Sequence, residues 1–289
     1  VPAAGSIAGG AISAGTAGVI TAALGTAYIA FMELVFKGDM DIEDLSSKKG
    51  KETLSKIFKE KLKLGKENLS FLLNNDGESV YNALNGVAGY SGVMIKAPAY
   101  IALAAKTDEP STLVKGAYGL EEIITKLNEI GLGNCWITLA GVKDTVKQSI
   151  FNYYEGKINI LLAIGYPVND EVRTHKYDDR IATEDLVFLG DFDTPATDED
   201  LEQRGLNDIF DYAKFAPSAQ NKQEWRFVIV DDEIHLYIED YQGDVNLIDA
   251  GIIMYYIDEL GKSLAMTSTW DINPKIESEK YTYIATKKM

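Results

Sequence analysis

The sequence predicts an α+β protein built from two similar halves, on three observations. Short runs of apolar, β-branched and aromatic residues read as strands: Tyr100 to Ala104, Phe227 to Val230, and Ile234 to Ile238. Between them, 117–130 and 206–213 place apolar side chains at helical spacing. The pattern also recurs. Setting Trp136 against Trp270 aligns Leu120 with Met254, Ile123 with Ile257 and Ile130 with Leu264. An apolar helix preceded by a short strand therefore ends twice in a Trp-bearing turn, the self-similarity a duplicated unit leaves; two amphipathic helices matching by chance is the plainer alternative.

Residues 1–31 carry no charge and are rich in alanine and glycine, with Glu33 the first ionisable side chain. Ala14 to Phe36 is long enough to span a bilayer, and Gly5 and Gly9 have the spacing of packed membrane helices. No basic residue flanks the start, so a buried or appended apolar helix is the preferred reading. Val1 in place of methionine is consistent with a fragment. Residues 42–66 form an amphipathic helix with a solvated Lys and Glu face. Gly92 to Leu103 is a loop entering a buried strand, and 168–204 is an acidic connector. The organisation expected is thus a first half at 32–167, the connector, and a second half at 205–289. His235 alternates with Ile234 and Leu236 and should lie on the opposite strand face.

With 289 residues and 46% hydrophobic content there is chain enough for a large core. The net charge of −16 argues against nucleic acid, whose binding rests on Lys and Arg neutralising phosphates. A single cysteine, Cys135, excludes an internal disulfide and suits a reducing compartment, so a cytoplasmic protein is expected. Two histidines without a close cysteine partner make a zinc site a poor reading. Gly261-Lys262-Ser263 lacks the earlier glycine of a phosphate loop, Gly131 and Gly133 lack the third glycine of a dinucleotide fold, and no hydrolytic triad emerges.

Ala216 to Phe227 holds the most chemistry. Pro217 should stop the preceding helix, while Ser218, Asn221 and Gln223 offer hydroxyl and amide groups to a planar heterocycle or a phosphate; a turn that only caps and connects is the plainer alternative. Ala216, Pro217, Ser218, Asn221, Gln223 and Trp225 resemble the Ala-Pro-Ser…Asn-x-Gln-Pro-Trp loop of nitroreductase-like flavoproteins, with Glu224 in place of the second proline. Gly131-Leu132-Gly133-Asn134-Cys135-Trp136 and the Gly165-Tyr166-Pro167 turn after Ile158 to Ile164 resemble the branch in which two halves are fused in one chain. The resemblance covers about residues 32–289.

That resemblance implies a mainly antiparallel central sheet flanked by helices, a single-chain pseudo-dimer or a homodimer, and FMN as cofactor. It implies reduction of nitroaromatics, quinones or related small acceptors with NAD(P)H as donor. It places Pro217, Ser218, Ala219, Asn221 and Gln223 beside the flavin, with Gly131, Leu132 and Gly133 near the ring. No side chain is expected to act as a conventional acid or base, because the flavin carries the chemistry. One departure stands out. The basic signature that clamps the FMN phosphate is replaced by Gly38-Asp39-Met40-Asp41, whose carboxylates repel a phosphate. Arg173, Lys176 and Arg180 are the replacement candidates, with plain surface charge as their alternative reading. The departure keeps a flavin-free or ligand-sensing descendant open, and residues 1–31 keep a membrane-tethered structural protein open.

Overall fold

The computed structural model describes residues 11–13, 68–129, 131–151, 156–168, 179–276 and 280–289. The chain divides into two compact units, Val1–Asp108 with Glu122–Asp170, and Glu109–Glu121 with Glu171–Met289. The division falls inside the acidic stretch, and one helix is shared between the units.

The first unit is an antiparallel sheet of β1 (Ala11–Ser13), β2 (Leu69–Asn74), β3 (Ala99–Ala105), β4 (Gly133–Thr138) and β5 (Lys157–Gly165), in the order β1-β2-β3-β5-β4. Central strand β3 is apolar at every position from Tyr100 to Ala105, because both its faces are covered. Tyr100 is buried there, and its hydroxyl accepts from Ala97 N at 3.0 Å and donates to Ile95 O at 2.6 Å, which satisfies the polar end of an otherwise apolar ring. Helix α1 (Gly77–Leu84) begins where the Asp76 side chain accepts from Ser79 N, and buries Val80 and Leu84. These residues, with Leu72, Ala102, Ile137, Leu161 and Phe151 of α3 (Asp144–Phe151), form one continuous core.

Helix α2 (Pro110–Glu129) contributes residues 110–121 to the second unit and the rest to the first. The second unit adds α4 (Thr183–Leu186), β6 (Val187–Leu189), α5 (Asp198–Gln203), α6 (Asn207–Ala213), β7 (Trp225–Val230), β8 (Glu233–Glu239), α7 (Asp244–Gly261), β9 (Asp271–Lys275) and β10 (Tyr281–Lys288). Its sheet runs β6-β7-β8-β10-β9, antiparallel except for the β6–β7 pair. The order β7-β8-β10-β9 repeats the β2-β3-β5-β4 order of the first sheet. Along β8, Ile234, Leu236 and Ile238 are buried while His235 and Tyr237 lie on the other face, as the alternation requires. Helix α7 is buried almost all round from Asn246 to Ile257, which explains why its sequence is apolar on every face.

Two expectations change. The stretch 168–204 is more than a connector, since its α4, β6 and α5 belong to the second unit and β6 extends that unit's sheet. Trp136 lies inside β4 and Trp270 just before β9, so the two tryptophans share a sequence spacing without sharing a turn. Of residues 1–31, only Ala11–Ser13 are described, as a strand antiparallel to β2; the helix and membrane readings otherwise lie outside the described residues, as does the 42–66 helix. No helix of the described residues is long and apolar enough to cross a membrane.

Candidate functional site

The loop between α6 and β7 has a constrained backbone. Helix α6 gives out at Ala213, the chain passes Pro217, and a single 3-10 turn at Ala219–Asn221 leads to β7. Gln220, Asn221 and Gln223 all take the left-handed conformation, at φ 55°, 57° and 53°. A non-glycine residue there costs about 1–2 kcal/mol, less for asparagine, so the surroundings must hold the loop in place.

Residues 179–181 supply much of that hold. Asn221 Nδ2 donates to Asp179 O at 2.9 Å, and its Oδ1 accepts from Arg180 Nη1 at 2.9 Å. Gln223, itself buried, accepts from Ile181 N at 2.9 Å and donates to Asp179 O and Asn221 O. Arg180 Nη1 also donates to Ala216 O at 3.1 Å, and its guanidinium lies over the Phe215 ring. The Ser218 hydroxyl accepts from Gln223 N at 3.1 Å and keeps its own proton to donate. The amides that the sequence set against a cofactor are therefore engaged by the chain itself, as the struts of the loop.

From the opposite side, the buried Asp249 of α7 accepts from Ala219 N with both carboxylate oxygens, at 3.1 and 3.0 Å. Burial pushes its carboxyl up to about 7, and the nearby Glu224 adds to the rise, while the Ala219 N–H and Lys222 oppose it. Asn246 bridges the neighbourhood by donating to Glu224 Oε2 at 2.7 Å. Trp225 closes the loop as a fully buried anchor.

Next to the loop opens a cleft of about 630 Å³, lined among others by Arg180, Lys222, Gln223, Arg226, Glu239 and Lys280. Arg226 donates to the Gln223 and Trp225 carbonyls and pairs with Glu239 at 2.5 Å; Lys280 pairs with the same carboxylate at 3.0 Å. Burial alone would raise the Glu239 carboxyl, but these two cations outweigh it and hold it below its ordinary range. Burial lowers the Arg180 guanidinium. Its Nε is buried and has no hydrogen-bond acceptor among the described residues.

The structure thus brings Pro217, Ser218, Ala219, Asn221 and Gln223 together with Arg180, all in the second unit. Arg173 and Lys176 lie outside the described residues. Gly131, Leu132 and Gly133 belong to the first unit. Gly131 has a local task there: at φ 77° it ends α2, with its N–H on Asn128 O and Leu132 N–H on Leu127 O, a helix stop that glycine makes at no steric cost. Asp249, Arg226, Glu239 and Lys280 were not singled out in the sequence. Only Asp249 left a signal there, as a lone acid in the otherwise apolar run from Leu247 to Ile257.

Residues 73–259 match the family described as "Putative TM nitroreductase". Among solved structures, the chain is similar to a Thermotoga maritima protein described as a "putative nitroreductase", at 20% identity over 65% of this chain and 70% of that one, with a TM-score of 0.43. It is similar to an FMN-dependent nitroreductase of Clostridium difficile at 18% identity, covering 38% and 70% with a TM-score of 0.33. A Bacteroides thetaiotaomicron protein described as a "putative NADH dehydrogenase/NAD(P)H nitroreductase" matches at 18% identity, covering 38% and 68% with a TM-score of 0.32. No curated protein matches.

Proposed function

The chain belongs to this nitroreductase family, and we propose that it is an FMN-dependent oxidoreductase that takes electrons from NADH or NADPH and passes them to a nitroaromatic, quinone or related small acceptor. Arg180 is the observation that carries this reading. Its Nη1 is spent on Ala216 and Asn221, whereas Nε lacks an acceptor. The Nε–Nη2 edge of an arginine is a fork that matches two oxygens of a phosphate, so the residues present fit the phosphate end of FMN. Arg173 and Lys176 are proposed as further ligands of that phosphate, in place of the basic signature missing at 38–41.

When bound, the flavin supplies the two-electron chemistry. The chain's own residues hold and orient it. The Ser218 hydroxyl donates to a ring acceptor, Pro217 and Ala219 present a fixed backbone, and Asn221 and Gln223 keep both in place through residues 179–181. Gly131, Leu132 and Gly133 are proposed as further flavin-binding residues. The repeated strand order supports a single-chain pseudo-dimer, with a homodimer as the other assembly. Asp39 and Asp41 favour a second reading, a ligand-sensing descendant that no longer takes flavin. The absorbance spectrum of the purified protein separates them: flavin bands, or their appearance on reconstitution with FMN, support the oxidoreductase, and a protein with no FMN affinity at high micromolar ligand rejects it.

A further inference from the structure

Helix α7 carries a carboxylate where its sequence is otherwise apolar. Asp249 is 3% exposed and sits between Ile248 and Ala250, both buried. A buried acid costs stability unless a specific contact compensates, and here the contact is a single backbone N–H, that of Ala219. That N–H opens the 3-10 turn whose next two residues are left-handed. The remaining supports of the loop run through residues 179–181, to Asn221 and Gln223 at its far end and from Arg180 to the Ala216 carbonyl ahead of the turn. Asp249 is thus the one side chain among the described residues that grips the turn at its first residue.

We propose that Asp249 is the positioning residue of this loop: its buried carboxylate, accepting from Ala219 N, holds the Ser218 to Gln223 loop, left-handed at Gln220, Asn221 and Gln223, in the form that meets the cofactor. The inference rests on the flavin reading for its ligand, and on geometry alone for the hold itself. The charged groups that face the carboxylate are Glu224 and Lys222, both from the loop, and they act in opposite directions. Because the carboxyl titrates near neutrality, the grip strengthens as pH rises: an N–H to an ionised carboxylate is about twice as strong as one to a neutral acceptor.

The test uses riboflavin, which has no titrating phosphate, with the full-length parent, Asp249→Asn and Asp249→Ala, each titrated by flavin fluorescence at pH 6 and pH 8. The parent is expected to bind about fivefold more tightly at pH 8, a size set by the gap between a charge-assisted and a neutral hydrogen bond. Asp249→Asn, which keeps one acceptor and cannot ionise, is expected to bind equally at both pH values, near the parent's pH 6 level. Asp249→Ala should bind more weakly than either. In parallel, the ¹⁵N-resolved amide signal of Ala219 should titrate near pH 7 in the parent and stay still in Asp249→Asn, with no cofactor needed. An Ala219 amide signal that Asp249→Ala leaves unmoved overturns the proposal, as does an Asp249→Asn variant that keeps the parent's pH dependence. A titrating amide in a protein that binds neither flavin sustains the positioning role and rejects the flavin reading.

Discussion

Gly251 of α7 lies so close to Val114 of α2 that a Cβ built on it would stand 2.3 Å from the Val114 carbonyl oxygen, and 2.8 Å from both Ala117 Cβ and Tyr118 N. Both segments belong to the second unit, and glycine is what lets their backbones meet. Two of the three atoms are backbone, so no side chain can swing aside. Gly251→Ala is expected to lower the unfolding free energy by about 1–3 kcal/mol, the usual cost of overpacking, despite alanine's better helix propensity. Urea unfolding checks it. A variant as stable as the parent would mean that the two helices pack further apart.

Two turns along α7, Asp258 gathers three partners. It accepts from Tyr118 OH at 2.8 Å and Trp270 Nε1 at 2.8 Å, and it pairs at 3.1 Å with Lys287, which is 1% exposed. Lys287 also donates to Ser268 O. The arrangement ties β10 and the segment before β9 to α7, and accounts for Trp270 as a structural residue. Removing one member of a buried pair strands the other, so Asp258→Ala should cost about 3–5 kcal/mol in urea unfolding. Lys287→Met in the same background should cost far less than it does alone, and additive losses would show that the pair is not coupled.

Much of this fold was legible because its strands are either fully apolar or cleanly alternating. Strands β3 and β8 and helices α2 and α6 fall where period and residue type place them. Strand β9 was not legible: Asp271–Lys275 is polar, largely exposed and contains Pro274, which its place at the sheet edge permits. Strand β6 is three residues long inside an acidic stretch, too short to show a period. The site divides likewise. Ser218, Asn221 and Gln223 announced themselves by residue type within one loop, whereas Glu239, Asp249 and Lys280 reach the same place from separate elements. Nothing local could have distinguished a strut from a cofactor ligand, since both need the same amide.

Because Asn221 bonds Arg180 and Ser218 does not, their alanine variants should separate the two ends of the flavin. Asn221→Ala takes one of its two acceptors from Arg180 Nη1, Ala216 O remaining, and should weaken FMN by roughly tenfold and riboflavin by less, as expected when a charge-assisted contact is loosened. Ser218→Ala removes the acceptor of Gln223 N and a donor to the ring, and should weaken both flavins alike, by about fivefold. Fluorescence titration of each variant with each flavin reads the pattern. Equal losses of FMN and riboflavin in Asn221→Ala would remove Arg180 from the phosphate site.

The same buried carboxyl that grips the loop also links stability to pH. Asp249 rises from an ordinary value of 3.8 to about 7 on folding. A carboxyl raised in this way keeps its proton in the folded chain while the unfolded chain releases it. Its contribution is therefore fully present below about pH 3.8 and is lost as pH rises towards 7. The loss across that window is on the order of 4 kcal/mol at most, since each tenfold change in proton affinity is worth roughly 1.4 kcal/mol. Asp249→Asn has no proton to lose. The stability difference between the variant and the parent should thus move in the variant's favour from pH 4 to pH 7 and stay level above pH 8, measured by urea unfolding across the range. A constant difference would show that Asp249 is ionised in the folded protein throughout, with Lys222 and the Ala219 N–H outweighing its burial.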